Sequence, residues 1–177
     1  MRSGNLALVV GTGRSMWEDF YRSPRAATVF AVNHAALFLP RVEHAVSANG
    51  AFIGGIAKAR LSLPRYSKDA LVVHASTPAP GVTMVWDERI FPWSGEGGTS
   101  SLLAVRIAIK LGFTQILVAG VPLDTRGHFY DPEDYLYATD FSAALADWVT
   151  VRDENPQIEI RSWSGYTRAL LGAPEVG

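Results

Sequence analysis

Five apolar residues, Leu6 to Val10, run without interruption into Gly11-Thr12-Gly13-Arg14-Ser15. A strand buried on both faces of a parallel sheet reads as a continuous apolar run rather than an alternating one. Glycines at its carboxyl end let backbone amides approach an anion with no Cβ in the way. The junction therefore predicts an α/β fold whose first strand ends at a nucleotide-phosphate site made by Gly11, Thr12, Gly13, Arg14 and Ser15. The third glycine of the dinucleotide fingerprint is missing, because Ser15 and Met16 follow Gly13, and no Gly-Lys-Ser/Thr completes a P-loop. A tight strand-to-helix turn with no ligand has the same sequence.

The first run is not alone. Strands are expected near Leu6 to Val10, Thr28 to Val32, Ala45 to Ala48, Leu71 to His74, Thr83 to Trp86, Ile116 to Ala119 and Glu159 to Ser162. Between them lie helical stretches at Met16 to Tyr21, Phe52 to Arg60, Ser101 to Leu111, Phe141 to Val151 and Gly165 to Leu171. This alternation predicts a doubly wound, Rossmann-like, mostly parallel sheet with helices on both faces. The most definite helix is Ser101 to Leu111: Thr99 or Ser100 can cap it, Gly112 ends it, and it is apolar nearly all round, so it belongs in the interior. At 177 residues the chain is expected to be a single domain, 1–177, large enough to bury roughly 70% of its unfolded surface.

Composition narrows the function classes. The absence of cysteine excludes disulfides, thiolate zinc sites and cysteine nucleophiles. Sixteen basic against seventeen acidic residues give a net charge of −1 with no basic block, which argues against a nucleic-acid partner. No apolar stretch approaches the ~20 residues of a membrane span, and the N-terminus lacks the pattern of a signal peptide, so a cytoplasmic location is the default expectation.

A second candidate anion site is Gly95-Glu96-Gly97-Gly98-Thr99-Ser100-Ser101, which empties into the buried helix. Glycines followed by hydroxyls at a helix start present unpaired amides and the positive end of the helix dipole, a setting suited to phosphate. An ordinary Thr/Ser cap explains the hydroxyls but not the cluster of glycines. Asn33 and Asn49 each follow a predicted strand, where ligands of open α/β sheets collect. Their amides can serve a base edge or a ribose, and either can also cap the helix that follows. The loop holding Asp124, Arg126, His128, Tyr130, Asp131, Glu133 and Asp134 is dense in titratable groups, and His128 is the candidate general base within it. A solvated acidic loop with an idle histidine is the plainer reading. His34, His44 and His74 lie beside or within core segments and are expected to be structural. No histidine pair has metal-ligand spacing on one element.

Together these residues resemble a known family. The order Leu6 to Ser15, Asp19, Val29 to Asn33, Ala45 to Asn49, Gly98-Thr99-Ser100-Ser101 through Ala108 to Phe113, and Ile116 to Val121 is that of the bacterial CMP-sialic-acid-dependent sialyltransferases that decorate lipooligosaccharides. It is also the order in the related hydroxymethylpterin pyrophosphokinase-like proteins. The closing stretch, Ile158 to Ser162 then Ser164 to Leu171, is similar as well.

The resemblance implies a transferase in which the turn Gly11 to Ser15, Asn33 and Asn49 hold the nucleotide. Gly98, Thr99, Ser100 and Ser101 lie at the phosphate and donor sugar, Arg14 helps to neutralise phosphate, His128 deprotonates an acceptor hydroxyl and Tyr130 steadies the departing phosphate. It implies a metal-independent inverting displacement that needs no cofactor. The partners are a nucleotide sugar such as a CMP-sugar, a small-molecule or glycan acceptor, and a second copy of the chain. Thr12 stands where the family usually has asparagine, and Arg14 where proline is common, which alters the grip on the nucleotide. The loop from Gly120 to His128 is shorter than the family's acceptor-covering lid, leaving the centre wetter and favouring hydrolysis unless the acceptor or a partner closes it. Two competing functions remain: a pyrophosphokinase with Mg²⁺ held by Asp124 and Asp131, and a binding module that has kept the cleft and lost turnover.

Overall fold

The computed structural model describes residues 5–68, 70–86, 99–136 and 141–175. Its centre is one seven-stranded sheet, and every pairing in it is parallel. The strands are β1 (Leu6–Val10), β2 (Thr28–Val32), β3 (His44–Ser47), β4 (Val72–Ala75), β5 (Met84–Val85), β6 (Gln115–Ala119) and β7 (Glu159–Ser162). The helices are α1 (Met16–Arg22), α2 (Ala35–Phe38), α3 (Gly50–Ser62), α4 (Ser100–Lys110), α5 (Ser142–Glu154) and α6 (Gly165–Leu171).

Alternation of side chains along each strand divides the core into two layers. Ala7, Val9, Phe30, Val32, Val46, Ile116 and Val118 face α4, α5 and α6, where Leu103, Ile107, Trp148 and Leu171 close the layer. Leu8, Val10, Val29, Ala31, Ala45 and Leu117 face the opposite layer, made by Met16 of α1, Ala35 and Ala36 of α2, and Ile53 and Ala57 of α3. The doubly wound arrangement read from the sequence is therefore the observed one. α4 is buried along almost its whole length, leaving Arg106, Ile109 and Lys110 toward the surface. Thr99 caps it, accepting the Leu102 amide at 3.3 Å.

Strand order places the site. The sheet runs β5-β4-β3-β2-β1-β6-β7, so the chain adds strands outward from β1 on one side, then returns at β6 to the other side of β1. The carboxyl ends of β1 and β6 thus flank the topological switch point, the crevice where open α/β sheets bind ligands.

Candidate functional site

A cavity of about 280 Å³ opens at this switch point, near the lower end of the range for small-molecule sites. Its walls come from the turn after β1 (Gly11, Thr12, Gly13), the end of β2 (Val32, Asn33), the start of α4 (Thr99, Ser100, Ser101), the segment after β6 (Gly120 to Asp124), and Gly127, His128 and Phe141. Gly11 to Gly13 and Thr99 to Ser101, from two segments read separately in the sequence as anion sites, are therefore walls of one space. Gly98 lies outside the described residues.

The first glycine turn works differently from the expectation. The Gly11 amide donates to the Ala119 carbonyl at 2.9 Å and the Gly13 amide to the Gly120 carbonyl at 2.7 Å, so neither is offered to a ligand. What requires glycine here is close chain approach. A Cβ on Gly11 lies 2.7 Å from the Gly120 carbonyl oxygen, and one on Gly13 lies 2.4 Å from Pro122 Cδ. Gly120 itself has a φ of +62°, in the left-handed region, and its amide donates to the Asp19 carboxylate at 3.0 Å.

Three further expected nucleotide contacts are engaged elsewhere. Arg14 donates Nε–H to the Arg126 carbonyl at 2.6 Å and its other guanidinium nitrogen to the Pro132 carbonyl, which spends the cation on pinning the 126–132 loop. Ser15 donates to Asp19 at 2.8 Å. Asn49 caps α3, accepting the Phe52 amide at 3.0 Å. None of the three lines the cavity.

Asn33 is placed otherwise. It sits at a φ of +53°, a conformation that asparagine tolerates better than most side chains. Its amide nitrogen on the main chain donates to the Val46 carbonyl at 3.0 Å. The side-chain Oδ1 is buried and has no hydrogen-bond partner among the described residues. A buried polar atom without a partner on a cavity wall is costly unless a ligand or water satisfies it. At the opposite wall α4, an 11-residue helix, presents the amides of Ser100 and Ser101, whereas those of Leu102 and Leu103 already donate to the Thr99 carbonyl at 3.0 and 3.2 Å; the Thr99 and Ser101 hydroxyls lie 2.8 Å apart beside them. Ser100 Oγ accepts the Ala48 amide at 3.1 Å, tying the helix start to the end of β3.

His128 is tied to the β1 turn by a bridge between Gly13 and His128 and by the Phe129 amide, which donates to the Thr12 carbonyl at 2.9 Å. Its own amide donates to Asp131 at 2.7 Å, and its ring Nδ1 lies 2.8 Å from the Thr12 hydroxyl. Burial lowers the imidazole pKa below its ordinary value, with His34 acting the same way and Asp131 and the Thr12 backbone opposing. At neutral pH the ring is therefore uncharged and able to accept a proton. The Tyr130 phenol is held protonated: burial first, then Asp131, raises its pKa, against a hydrogen bond from the Thr12 hydroxyl.

His34, expected to be structural, packs beside the cavity without lining it, its Nδ1 3.1 Å from the Tyr130 hydroxyl and its ring 5.4 Å from that ring. His44 and His74 do have a packing role: His44 Nδ1 lies 2.9 Å from His74 Nε2, and Trp86 Nε1–H donates to His74 Nδ1 at 3.0 Å. Asp124 accepts the Arg126 Nε–H at 2.8 Å, and Asp131 holds the His128 amide, so each carboxylate of the Mg²⁺ alternative has a partner within the chain. Among the described residues no cluster of three or more His, Asp or Glu side chains has the geometry of a metal site.

The sialyltransferase CstII from Campylobacter jejuni, solved with the substrate analogue cytidine-5'-monophosphate, matches 97% of this chain and 86% of its own with a TM-score of 0.67 at 13% identity. The fold is that of the sialyltransferases. A second structure, the monofunctional α-2,3-sialyltransferase Cst-I from Campylobacter jejuni, matches 98% of this chain and 81% of its own at 14% identity and a TM-score of 0.65. The sialyltransferase CST-II solved with a trisaccharide acceptor and CMP matches 96% of this chain and 86% of its own, with a TM-score of 0.66 at 13% identity. No family model and no curated protein matches the sequence. What the sialyltransferase fold shares with this chain is the layout of sheet and helices, within which the cavity lies.

Proposed function

We propose that the chain is a nucleotide-sugar-dependent glycosyltransferase that uses a CMP-sugar as donor and needs no metal. The observation that carries this reading is the placement of a neutral imidazole, His128, in the same cavity as the α4 start and the unpartnered Asn33 Oδ1. The α4 amides and the Thr99 and Ser101 hydroxyls suit the phosphate of the donor, and the Asn33 carbonyl oxygen suits an N–H or O–H of the base or ribose.

In the reaction, the acceptor hydroxyl gives its proton to His128 Nε2 as its oxygen bonds the anomeric carbon. The bond from that carbon to the phosphate oxygen breaks, and the nucleoside monophosphate leaves with the electron pair. The helix start stabilises the charge that develops on the leaving phosphate. Arg14 does not serve the phosphate in this scheme, because both ends of its guanidinium are bound to loop carbonyls.

The acceptor approaches across an aromatic surface. Tyr21 stacks on Trp17, Trp17 packs edge-on to Phe129, and Phe129 contacts Phe38 and Tyr130, with ring centroids 5.1 to 5.9 Å apart. Tyr130 closes the series 5.0 Å from the His128 ring. Tyr21, Phe38 and Tyr130 are exposed, while Trp17 and Phe129 between them are partly buried against the core.

Thermal unfolding with CMP, UDP, GDP and ATP, each with and without Mg²⁺, tests the reading, since a ligand at 100 times its Kd adds about 2.7 kcal/mol. Stabilisation by CMP without metal is the expected result, followed by release of CMP from CMP-sialic acid that His128→Ala abolishes. Stabilisation by ATP only with Mg²⁺ would instead establish the pyrophosphokinase. CMP binding with no donor turnover that depends on His128 would establish a binding module.

A further inference from the structure

We propose that Arg126 decides whether the cavity accepts a phosphate-bearing ligand: by neutralising Asp124 on the cavity wall it admits the nucleotide, and without it a phosphate no longer strengthens binding over the uncharged nucleoside. The inference rests on the reading of this cavity as a nucleotide site and assigns a specificity role within it. Neither residue has a part in the transfer chemistry given above.

The charges on the wall are few. Among the described residues that line the cavity, Asp124 carries the one formal charge, because burial keeps His128 neutral and no lysine or arginine lines the space. That charge has the sign of the ligand. Asp131, which acts on His128 and Tyr130 from outside the lining, adds to the same side. The start of α4 offers roughly half a positive elementary charge, less than one carboxylate cancels. Arg14 keeps its guanidinium on the Arg126 and Pro132 carbonyls and is not part of the lining. Binding of a phosphate therefore turns on what becomes of the Asp124 charge.

Arg126 settles that charge locally. Its Nε–H donates to Asp124 Oδ2 at 2.8 Å and its Nη2 lies 2.7 Å from the same oxygen, while its backbone amide donates to Oδ1 at 3.1 Å. Both carboxylate oxygens are thus engaged by one residue two positions on. The hydrogen bond to Asp124, and then the charge of Asp124, raises the Arg126 pKa above its ordinary value, so the pair stays ionised. The two side chains differ in setting: Asp124 is 17% exposed and Arg126 57%. An ion pair with one partner so exposed contributes little to stability, and its effect lies in the charge that the cavity presents. The turn that brings Asp124 to the wall is imposed by its surroundings, since Leu123 just before it has a φ of +50°, in the left-handed region that bulky side chains avoid. Deleting the guanidinium while leaving the carboxylate sets an uncompensated negative charge against the ligand's own.

Calorimetric titration of the whole chain with CMP and with cytidine separates the charge from the rest of the ligand. In the parent chain CMP should bind the tighter of the two. Arg126→Gln should fold, because the guanidinium is exposed and the backbone bonds of Arg126 with Asp124 and Arg14 do not use it. It should weaken CMP about tenfold, the scale of two unit charges a few ångströms apart near a protein surface, and leave cytidine unchanged. Asp124→Asn added to Arg126→Gln keeps the Oδ1 acceptor, removes the charge and should restore most of the CMP affinity. Full CMP affinity in Arg126→Gln, a parallel loss of CMP and cytidine, or no recovery in the double variant would overturn the inference and leave the CMP reading standing. If UDP, GDP or ATP binds in place of CMP, and Arg126→Gln weakens it but not its nucleoside, the inference stands and the CMP reading falls. A chain that binds none of the four overturns both.

Discussion

Ser164 donates its hydroxyl to the Asp19 carboxylate at 2.7 Å, joining the entry of α6 to α1 across 145 positions of chain. The same Oδ2 accepts Ser15 at 2.8 Å and the Gly120 amide at 3.0 Å, so one carboxylate oxygen fastens the turns after β1, β6 and β7 together. Asp19 is 1% exposed. Its removal strands the buried Gly120 amide, at about 1–3 kcal/mol, while the half-buried Ser15 and Ser164 hydroxyls, 2.8 Å apart, keep each other. Asp19→Ala should lower stability by about 1–3 kcal/mol in chemical denaturation. Asp19→Asn keeps an acceptor oxygen and should lose distinctly less.

The ladder of His44, His74 and Trp86 predicts an acid-sensitive stability. Trp86 donates to His74 Nδ1, so His74 is neutral with its proton on Nε2, directed to His44. Burial is the main cause that lowers the His74 pKa to about 4, and His44 adds to it. A folded-state pKa below the unfolded value of about 6.5 means that the unfolded chain binds more protons between those two values. The associated stability is present above pH ~6.5, declines as pH falls toward about 4 and is gone below it, amounting to about 3 kcal/mol at most. Urea midpoints measured across that window should fall steeply for the parent chain and flatten for His74→Gln.

Much of this architecture was legible because burial wrote it into the composition. β1, β2 and β7 have the boundaries expected from their sequences, α4 begins one residue early, and β3 and β4 are shifted by one residue. The helix expected to start at Phe52 starts at Gly50, because Gly50 and Gly54 hide helical periodicity. Those glycines are there for chain approach: a Cβ on Gly50 would lie 2.0 Å from the Thr77 carbonyl oxygen. The same ambiguity governed the β1 turn, since an anion nest and a close backbone crossing both call for glycine, and the crossing partners, Gly120 and Pro122, lie far along the chain. Convergence of Thr12, Asn33, Thr99 and His128 followed from strand order, whereas the His34 contact with Tyr130 spans 96 positions and leaves no local signature.

The two roles of glycine can be separated by substitution. On Gly13 a Cβ lies 2.4 Å from Pro122 Cδ and 2.8 Å from the Gly120 oxygen, whereas on Gly55, within α3, it meets nothing within 4 Å. Gly13→Ala should destabilise by about 1–3 kcal/mol through overpacking. Gly55→Ala should stabilise by about 0.5–1 kcal/mol, the gain from replacing a helical glycine. Thermal unfolding of both variants checks the pair. Were Gly13 present only to receive an anion, its alanine variant would keep full stability.

Asn33 gives the sharpest test of the cavity, because its backbone and side chain make opposite demands. At a φ of +53° a Cβ-bearing residue is strained, by roughly 1–2 kcal/mol for an ordinary side chain. Its buried Oδ1 without a partner adds a desolvation cost of about 1–3 kcal/mol. Asn33→Gly removes both penalties, so in the absence of ligand it should be at least as stable as the parent chain, allowing for the ~0.5–1 kcal/mol entropic cost of glycine. The same change deletes the cavity-wall atom to which the proposed function assigns the nucleotide. The CMP-induced rise in melting temperature should therefore shrink, with Kd for CMP weakened about tenfold or more, the loss expected when a hydrogen bond in a desolvated site is removed. Asn33→Ala keeps the strained backbone while removing the unpaired oxygen, so it should be less stable than Asn33→Gly and should lose binding to the same extent. An Asn33→Gly variant that binds CMP as tightly as the parent would place the nucleotide elsewhere.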